Sequence, residues 1–258
     1  MLFVWGTKIL EKKIGFVADF CYICREINVF RLLAVNRTSH IYGGAVGKGE
    51  LLCHKKVCIH CHTKTTANST IYKDCLKKID SSSAVDELSK NTFPDIKIHY
   101  AERLLLEKTI REDYRKIDSS IRSKLLLEPF EVLSENVESR FKKTNIDKYS
   151  GISLVLLIAI PILTSKLLDL LTFDVDLKMD VIISIVALCI ANVVFQFIMV
   201  PRRYLRDFIY QKLKKSLSIL HPSKPEIENI HIKLKALGYG IARYGSIKVL
   251  TSILVKEG

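Results

Sequence analysis

Two long apolar runs dominate the hydrophobic pattern of this chain. The first, GISLVLLIAIPILTSKLLDLL, covers residues 151–171, and the second, VIISIVALCIANVVFQFIMV, covers residues 181–200 without a charged side chain. A helix needs about 20 apolar residues to cross the hydrocarbon core of a bilayer. The pattern therefore predicts a two-helix transmembrane hairpin, with Lys166 and Asp169 near the far interface. A pair of buried helices in a soluble protein fits the length and the flanking charge less well.

The charges beside these runs predict an orientation. Basic residues stand on the outer side of both runs: Arg140, Lys142, Lys143 and Lys148 before the first, and Arg202, Arg203 and Arg206 after the second. The connection, TFDVDLKMD, has three aspartates and one lysine. Because Lys and Arg accumulate on the cytoplasmic side, both termini are predicted to be cytoplasmic, in a multi-pass protein of the cell (inner) membrane. The N-terminal MLFVWGTK has too short an apolar stretch for a signal peptide.

Ahead of the hairpin the pattern changes to strand-like runs between two Cys-x-x-Cys motifs. Cys21 and Cys24 form the first motif, and Cys58 and Cys61 form the second. The runs INVFRLLAV, HIYGGAV and ELLCHKKV, with a Gly-Lys-Gly turn at 47–49, lie mostly between them. Two such motifs together supply the four thiolates of a tetrahedral site. The spacing predicts a small zinc ribbon with one structural Zn²⁺ per chain.

Other groups near these motifs leave alternatives open. His54, His60 and His62 are candidates for hydrogen bonds to the thiolates, and a second metal or a sensing role is the sharper alternative. Cys53 and Cys75 match no pattern, and Cys189 reads as a small apolar residue within the second run. A Cys-x-x-Cys also occurs in thiol–disulfide exchange, but a single motif opening a helix is expected there.

The segments on either side of the hairpin read as helical. Apolar residues recur at helical spacing before it: Ala101, Leu105, Ile110, Tyr114, Ile117, Ile121 and Leu125. Pro129 is expected to start a new helix that leads to the membrane. After the hairpin, Leu205, Phe208, Ile209, Leu213, Leu217 and Leu220 form one apolar stripe. This stripe either lies on lipid or docks on the protein itself. Ser223 and Glu226 have capping-box spacing, Ile227, Ile230, Leu234 and Leu237 line one face, and Gly238 marks a helix end.

Positive charge is concentrated outside the hairpin. Residues 1–85 carry a net charge of +7 and residues 201–258 a net charge of +8, whereas residues 86–148 are balanced. The candidates for contact with anionic lipid headgroups are Arg202, Arg203, Arg206, Lys212, Lys214 and Lys215. Nucleic acid is the less favoured partner, because a membrane anchor already accounts for the charge.

The resulting fold class is α+β, in four parts. Residues 1–85 form the zinc ribbon and 86–148 a helical cytoplasmic stalk. Residues 149–200 form the hairpin, with helices at about 151–171 and 181–200, and residues 201–258 form a basic helical tail. Ser184, Asn192 and Gln196 share one face of the second helix, which packs on the first helix or on a second copy of the chain.

Several of these segments together resemble a group of bacterial membrane proteins with an N-terminal zinc ribbon. The resemblance rests on FVWGTK, GFVADFCYICRE, LLCHKKVCIHC, LLLEPFEVLSENVESRF and the hairpin. It implies the architecture and a metal-ligand role for the four motif cysteines, and it implies no activity.

The sequence contains no recognisable catalytic constellation. It predicts a membrane-anchored cytoplasmic module that binds a protein partner or acts as a scaffold without catalysis. The alternatives are a membrane-linked thiol or metal redox protein and a membrane-tethered ribbon that binds nucleic acid.

Overall fold

The computed structural model describes residues 5–41, 44–79, 85–142, 146–170 and 175–254. The predicted α+β class is confirmed. The strands are β1 (Trp5–Cys21), β2 (Glu26–Ile41), β3 (Gly44–Cys58) and β4 (Lys64–Ala67). The helices before the apolar runs are α1 (Val85–Thr92), α2 (Ile96–His99), α3 (Ala101–Asp113) and α4 (Ser119–Phe141). The remaining helices are α5 (Lys148–Leu170), α6 (Val175–Tyr204), α7 (Tyr210–Leu217), α8 (Lys224–Ala236), α9 (Gly240–Tyr244) and α10 (Ile247–Leu254).

The four strands form one antiparallel sheet in the order β1-β2-β3-β4. The strand-like runs of the sequence lie in β2 and β3, but the sheet is larger than expected because β1 adds 17 residues. Cys21 ends β1 and Cys58 ends β3. Since adjacent strands run in opposite directions, the β1–β2 and β3–β4 connections meet at the same end of the sheet. This topology brings the two Cys-x-x-Cys motifs together.

The Gly-Lys-Gly segment is a bulge inside β3, and the prediction of a turn there is wrong. Gly47 and Gly49 have positive φ angles of 85° and 71°. The β2–β3 register shifts at this point, between Arg37 and Ser39. A Cβ atom on Gly49 would lie 2.3 Å from the Thr38 side chain, so only glycine fits this backbone. An insertion of this kind bends the strand without ending it.

Each face of the sheet is covered by different helices because neighbouring residues of a strand point to opposite faces. Ala18 packs on one face in a small core with Leu88 of α1, Phe93 directly after α1 and Ile96 of α2. Val17 points to the other face. The larger core on that face has members from the motif cysteines, from α3 and α4 and from the tail helices.

The expectation that Pro129 starts a helix is wrong. Pro129 lies inside α4, whose first turn is capped by Asp118: the Ser120 backbone N–H donates to the Asp118 carboxylate at 2.8 Å. The helical segment is interrupted before Pro129, by a 3₁₀ turn at Tyr114–Lys116 between α3 and α4. The predicted apolar stripe is only partly buried: Ile110 and Leu125 are buried, whereas Leu105 and Ile121 are exposed. An acidic N-cap is the stronger start signal here.

The two apolar runs form α5 and α6, which are long and apolar enough to cross a bilayer. Only 6% of the apolar window in α5, and none of that in α6, is buried inside the structure. The core-helix alternative requires these side chains to be covered by protein, and they are not. The two helices pack on each other, and the Asn192 amide donates a hydrogen bond to the Ser153 hydroxyl at 3.2 Å.

The tail continues α6 directly, giving 46 residues of unbroken helix from Val175 to Leu220 with a π turn at Leu205–Ile209. The apolar stripe of this extension docks on the protein itself: Leu205, Ile209, Leu213, Leu217 and Leu220 are at most 1% exposed. Phe208 is the exception, at 59%.

The last part of the tail is held against α4. The predicted capping box of Ser223 and Glu226 is present at the start of α8, and Gly238 ends that helix with a φ of 75°. The Arg122 guanidinium of α4 donates to the Glu226 carboxylate at 2.7 Å and lowers the pKa of Glu226 to about 2. Ile227, Ile230 and Leu234 are buried as predicted, whereas Leu237 is exposed.

Candidate metal centre

Both Cys-x-x-Cys motifs fold into the same tight turn. In each one the residue after the second cysteine, Arg25 or His62, adopts a left-handed conformation, with φ angles of 60° and 54°. Its backbone N–H then donates to the carbonyl of the first cysteine, at 2.6 Å in the first turn and 2.9 Å in the second. The second cysteine also donates its N–H to the first sulfur, at 3.4 Å from Cys24 to Cys21. Backbone geometry therefore points both thiols of a motif in one direction.

The two turns bring the four sulfur atoms into one cluster. All four lie within 4.8 Å of one another, and Cys21, Cys58 and Cys61 are buried while Cys24 is half-buried. The Cys21 and Cys61 sulfurs are 3.5 Å apart, and those of Cys24 and Cys58 are 4.0 Å apart. A tetrahedral site with metal–sulfur bonds of roughly 2.3 Å requires sulfurs about 3.8 Å apart. The cluster has the dimensions of a tetrahedral metal site, and the predicted ligand set fits it.

The thiols also interact with one another as a unit. The pKa of Cys61 is lowered, chiefly by a hydrogen bond from the Cys21 thiol, and the Thr63 hydroxyl lies 3.2 Å from the Cys61 sulfur. The pKa of Cys21 is raised, first by its hydrogen bond with Cys24. The contacts at 3.5 and 4.0 Å run between the motifs. This is the arrangement of a shared four-thiol site, whereas exchange chemistry pairs the two cysteines of one motif.

None of the three predicted imidazoles joins this cluster within the described residues. His54 lies in β3 four residues before Cys58, which is about 13 Å along the strand. The His62 ring is exposed, and it is the backbone of His62 that supports the site. The exposed His60 imidazole contacts the Lys215 ammonium instead. Cys75 has a packing role, because its sulfur would lie 3.1 Å from a Cβ atom on Gly15.

Two lysines predicted to face lipid lie beside this centre instead. Lys212 is close enough for the charges of all four thiols to raise its pKa, although its burial is the larger effect and lowers it overall. Lys215 contacts His60 of the second motif. Four thiolates around a divalent metal carry a net charge of −2, so these cations lie where they offset that charge. Their distance from the apolar run explains the difference: they lie roughly 18–22 Å beyond Val200 along the helix.

A buried arginine connects the first motif to the helices. Arg25 is 1% exposed, and its guanidinium pairs with the Glu107 carboxylate of α3 at 2.7 Å. The same guanidinium donates to the Ser216 carbonyl of α7 at 3.5 Å, and the Ser216 hydroxyl donates to the Tyr22 carbonyl at 3.4 Å. Arg103 pairs with Glu107 as well, at 2.9 Å. The turn that carries Cys21 is thus fixed to α3 and to the extension of α6.

A second buried charge, that of Asp19, lies in β1 two residues before Cys21. Asp19 is fully buried and accepts hydrogen bonds from the Lys56 ammonium, the Tyr72 hydroxyl and the Tyr100 hydroxyl. Burial first, and then the Asp19 charge, raises the pKa of both tyrosines. No motif or spacing in the sequence predicts a role for these residues. A charged residue flanked by Val17, Ala18 and Phe20 is the one local signal, and its partners come from distant segments.

Comparisons with protein-family models, with curated proteins and with solved structures found no match to this chain. The resemblance to bacterial zinc-ribbon membrane proteins stays a prediction. The four-thiol site and the two apolar helices are features of the structure itself.

Proposed function

We propose that this chain is a membrane-anchored zinc-ribbon protein whose cytoplasmic unit acts as a non-catalytic binding or scaffold module. One observation carries the proposal. The four motif thiols and the buried stripe of the α6 extension belong to the same hydrophobic core. A metal site therefore lies at the base of a helix that is apolar enough, farther along, to cross a bilayer.

The chemistry of the site favours a structural role for the metal. Cysteine thiolates in a tetrahedral set prefer zinc or iron, and four protein ligands leave no coordination position for water or substrate. Cys21, Cys58 and Cys61 are buried among apolar side chains of the core. Zinc at this position would cross-link the β1–β2 and β3–β4 turns and so fix the end of the sheet to α3 and α7.

The surfaces of α5 and α6 support the membrane anchor. Side chains such as Val155, Leu163, Leu188 and Ile198 are each at least 60% exposed. So large an apolar surface on two neighbouring helices is characteristic of contact with lipid. The cations Lys148, Arg202 and Arg203 at one end of the pair favour the cytoplasmic side for that end.

The other end of the sheet supports the binding role. There β1, β2 and β3 continue beyond the helices, and their large apolar side chains are exposed: Trp5, Ile9, Ile41, Val46 and Leu51. Exposed apolar groups gathered at one end of a sheet are typical of surfaces that contact other proteins. The membrane hairpin would hold this surface at a fixed distance from the bilayer.

Cysteine labelling tests the anchor and its orientation. Lys178→Cys and Lys214→Cys, produced in separate variants, place one new thiol on either side of the second apolar run, near the start of α6 and in α7. We expect a membrane-impermeant maleimide to label Lys178→Cys in intact cells and Lys214→Cys only after lysis, because the two positions lie on opposite sides of the membrane. The wild-type chain is the background control. Labelling of both positions before lysis, or of neither, would contradict the predicted hairpin.

A further inference from the structure

A cleft of about 320 Å³ lies where α4 ends, α5 begins and α6 passes into its extension. Its walls are largely apolar and aromatic, from Phe141, Tyr149, Val200, Tyr204 and Phe208. Phe208 is the member of the tail stripe that does not dock on the protein. The Phe208 ring is exposed because it forms one wall of this cleft.

Charged side chains surround the apolar walls, and the balance is positive. Arg140, Lys148 and Arg203 line the cleft with Asp147 and Asp207. The lining therefore contains three basic and two acidic side chains, a net charge of +1, and Asp207 is also paired with Arg206, outside the lining, at 2.8 Å. The surplus favours an anionic ligand.

The two acidic groups are already held by the protein. The Arg203 guanidinium donates to the Asp147 carboxylate at 2.7 Å and to the Gln196 side chain at 2.7 Å. Asp147 also accepts from the Ser150 backbone N–H at the start of α5, at 2.8 Å. These contacts fix the ends of α5 and α6 to each other, so they build the floor of the cleft.

Two further basic side chains, Lys148 and Arg140, line the cleft. Lys148 is exposed at the first position of α5. The Arg140 guanidinium lies over the Tyr204 ring, 5.5 Å from its centre. A phosphate between them would receive two cationic contacts, with aromatic walls below it.

The position of the cleft relative to the bilayer determines which anions can reach it. Lys148 stands where the apolar run of α5 begins, and Val200 and Arg203 stand where that of α6 ends. If the hairpin crosses the bilayer, these residues lie at headgroup level on the cytoplasmic side. By contrast, Lys212, Lys214 and Lys215 lie roughly 18–22 Å farther along the helix than Val200.

We propose that this cleft binds one anionic phospholipid of the cytoplasmic leaflet. The phosphate contacts Lys148 and Arg140, and the upper part of an acyl chain lies along Tyr149, Tyr204 and Phe208. A single lipid held between α4, α5 and α6 would join the cytoplasmic unit to the hairpin at their junction. The proposal rests on the membrane insertion described above and adds a discrete site with a stated ligand class.

Native mass spectrometry of the full-length protein in detergent tests the site. Dioleoyl phosphatidylglycerol and dioleoyl phosphatidylcholine are titrated separately, and the first bound lipid is counted. We expect the wild type to bind phosphatidylglycerol first, and Lys148→Gln and Arg140→Gln each to weaken that binding about fivefold. The matched control is Arg202→Gln, which removes an exposed charge from the adjacent position on α6 but lies outside the cleft. This control is expected to retain wild-type binding.

The outcomes separate the site from its alternatives. Equal losses in Arg202→Gln and Lys148→Gln would show general attraction to a basic surface and would overturn the proposal. Displacement of the bound lipid by soluble glycerol 3-phosphate would identify a free phosphate as the ligand and would overturn it too. If both lipids bind equally and the protein resists carbonate extraction, the proposed lipid site is wrong but the membrane anchor stands. Release of the protein by carbonate would instead defeat the membrane anchor.

Discussion

Replacement of Cys58 by serine is expected to abolish metal binding and to unfold the sheet and the helices packed on it, while leaving the proposed hairpin in the membrane. Cys58 is fully buried, and its sulfur is one corner of the four-thiol cluster. Structural zinc contributes about 10–16 kcal/mol to the folding of small zinc domains at neutral pH, which equals or exceeds the whole stability of a typical domain. Serine offers no thiolate, so this contribution is lost. The apolar windows of α5 and α6 are almost entirely unburied in the structure, so their membrane insertion does not rely on contacts with the site.

Limited proteolysis in detergent measures this effect, with carbonate extraction as the test of insertion. We expect the protease to cleave Cys58→Ser rapidly within residues 5–142, whereas the wild type resists cleavage there. Cys53→Ser is the matched control, since Cys53 lies on the same strand but outside the cluster. Normal protease resistance of Cys58→Ser would show that the fold of the sheet and its helices does not depend on a metal.

Replacement of Asp19 by asparagine is expected to destabilise the sheet and the helices packed on it by about 3 kcal/mol or more. The carboxylate is the partner of Lys56, whose side chain is 10% exposed. Without it, an ammonium group is left buried and unpaired, which costs about 3–5 kcal/mol in comparable cases. Asparagine keeps the volume of the side chain, but its single amide oxygen can replace only one of the two carboxylate oxygens that accept from Tyr72 and Tyr100, so one tyrosine hydroxyl also loses its acceptor.

The measurement is the temperature at which half of the zinc becomes available to a chromogenic chelator. We expect a decrease of about 10 °C for Asp19→Asn. The double variant Asp19→Asn, Lys56→Met removes both charges and keeps the lysine volume over the Phe30 ring, so most of the loss should be recovered. An unchanged temperature in Asp19→Asn, or a double variant as unstable as the single one, would show that the ion pair has no such role.

Local patterns in the sequence predicted the parts of the structure that depend on local physics. The Cys-x-x-Cys spacing predicted the ligand set, because the turn geometry that aims both thiols is contained within five residues. The same holds for the capping box of Ser223 and Glu226. The apolar runs predicted α5 and α6, since length and composition alone decide whether a helix can cross a bilayer.

The features that the sequence did not predict depend on contacts between distant segments. Arg25 and Glu107 are 82 residues apart, and Asp19 and Tyr100 are 81 residues apart. The basic, amphipathic pattern of its helix predicts that Lys212 contacts lipid. The structure places it beside the thiols because α6 continues straight into the protein core. β1 was missed because the bulge between Lys13 and Gly15 interrupts its alternation.

The wrong predictions at Pro129 and at Gly47 to Gly49 have a common cause. In each case a residue that often ends an element is tolerated inside one. Pro129 is buried within α4, where the first-turn signal belongs to Asp118, and the two glycines form a bulge that the facing Thr38 accommodates. Proline and glycine limit or widen the backbone conformations allowed at one position. Whether the helix or strand continues there depends on the surrounding packing.

The metal content of the purified protein, measured together with its reactive thiols, tests the central claim most directly. The account predicts one zinc per chain, with the thiols of Cys21, Cys24, Cys58 and Cys61 protected from alkylation until the protein is unfolded. Absence of metal, with a fast-reacting Cys-x-x-Cys in the folded protein, would contradict the structural zinc centre and would make redox chemistry the function to pursue.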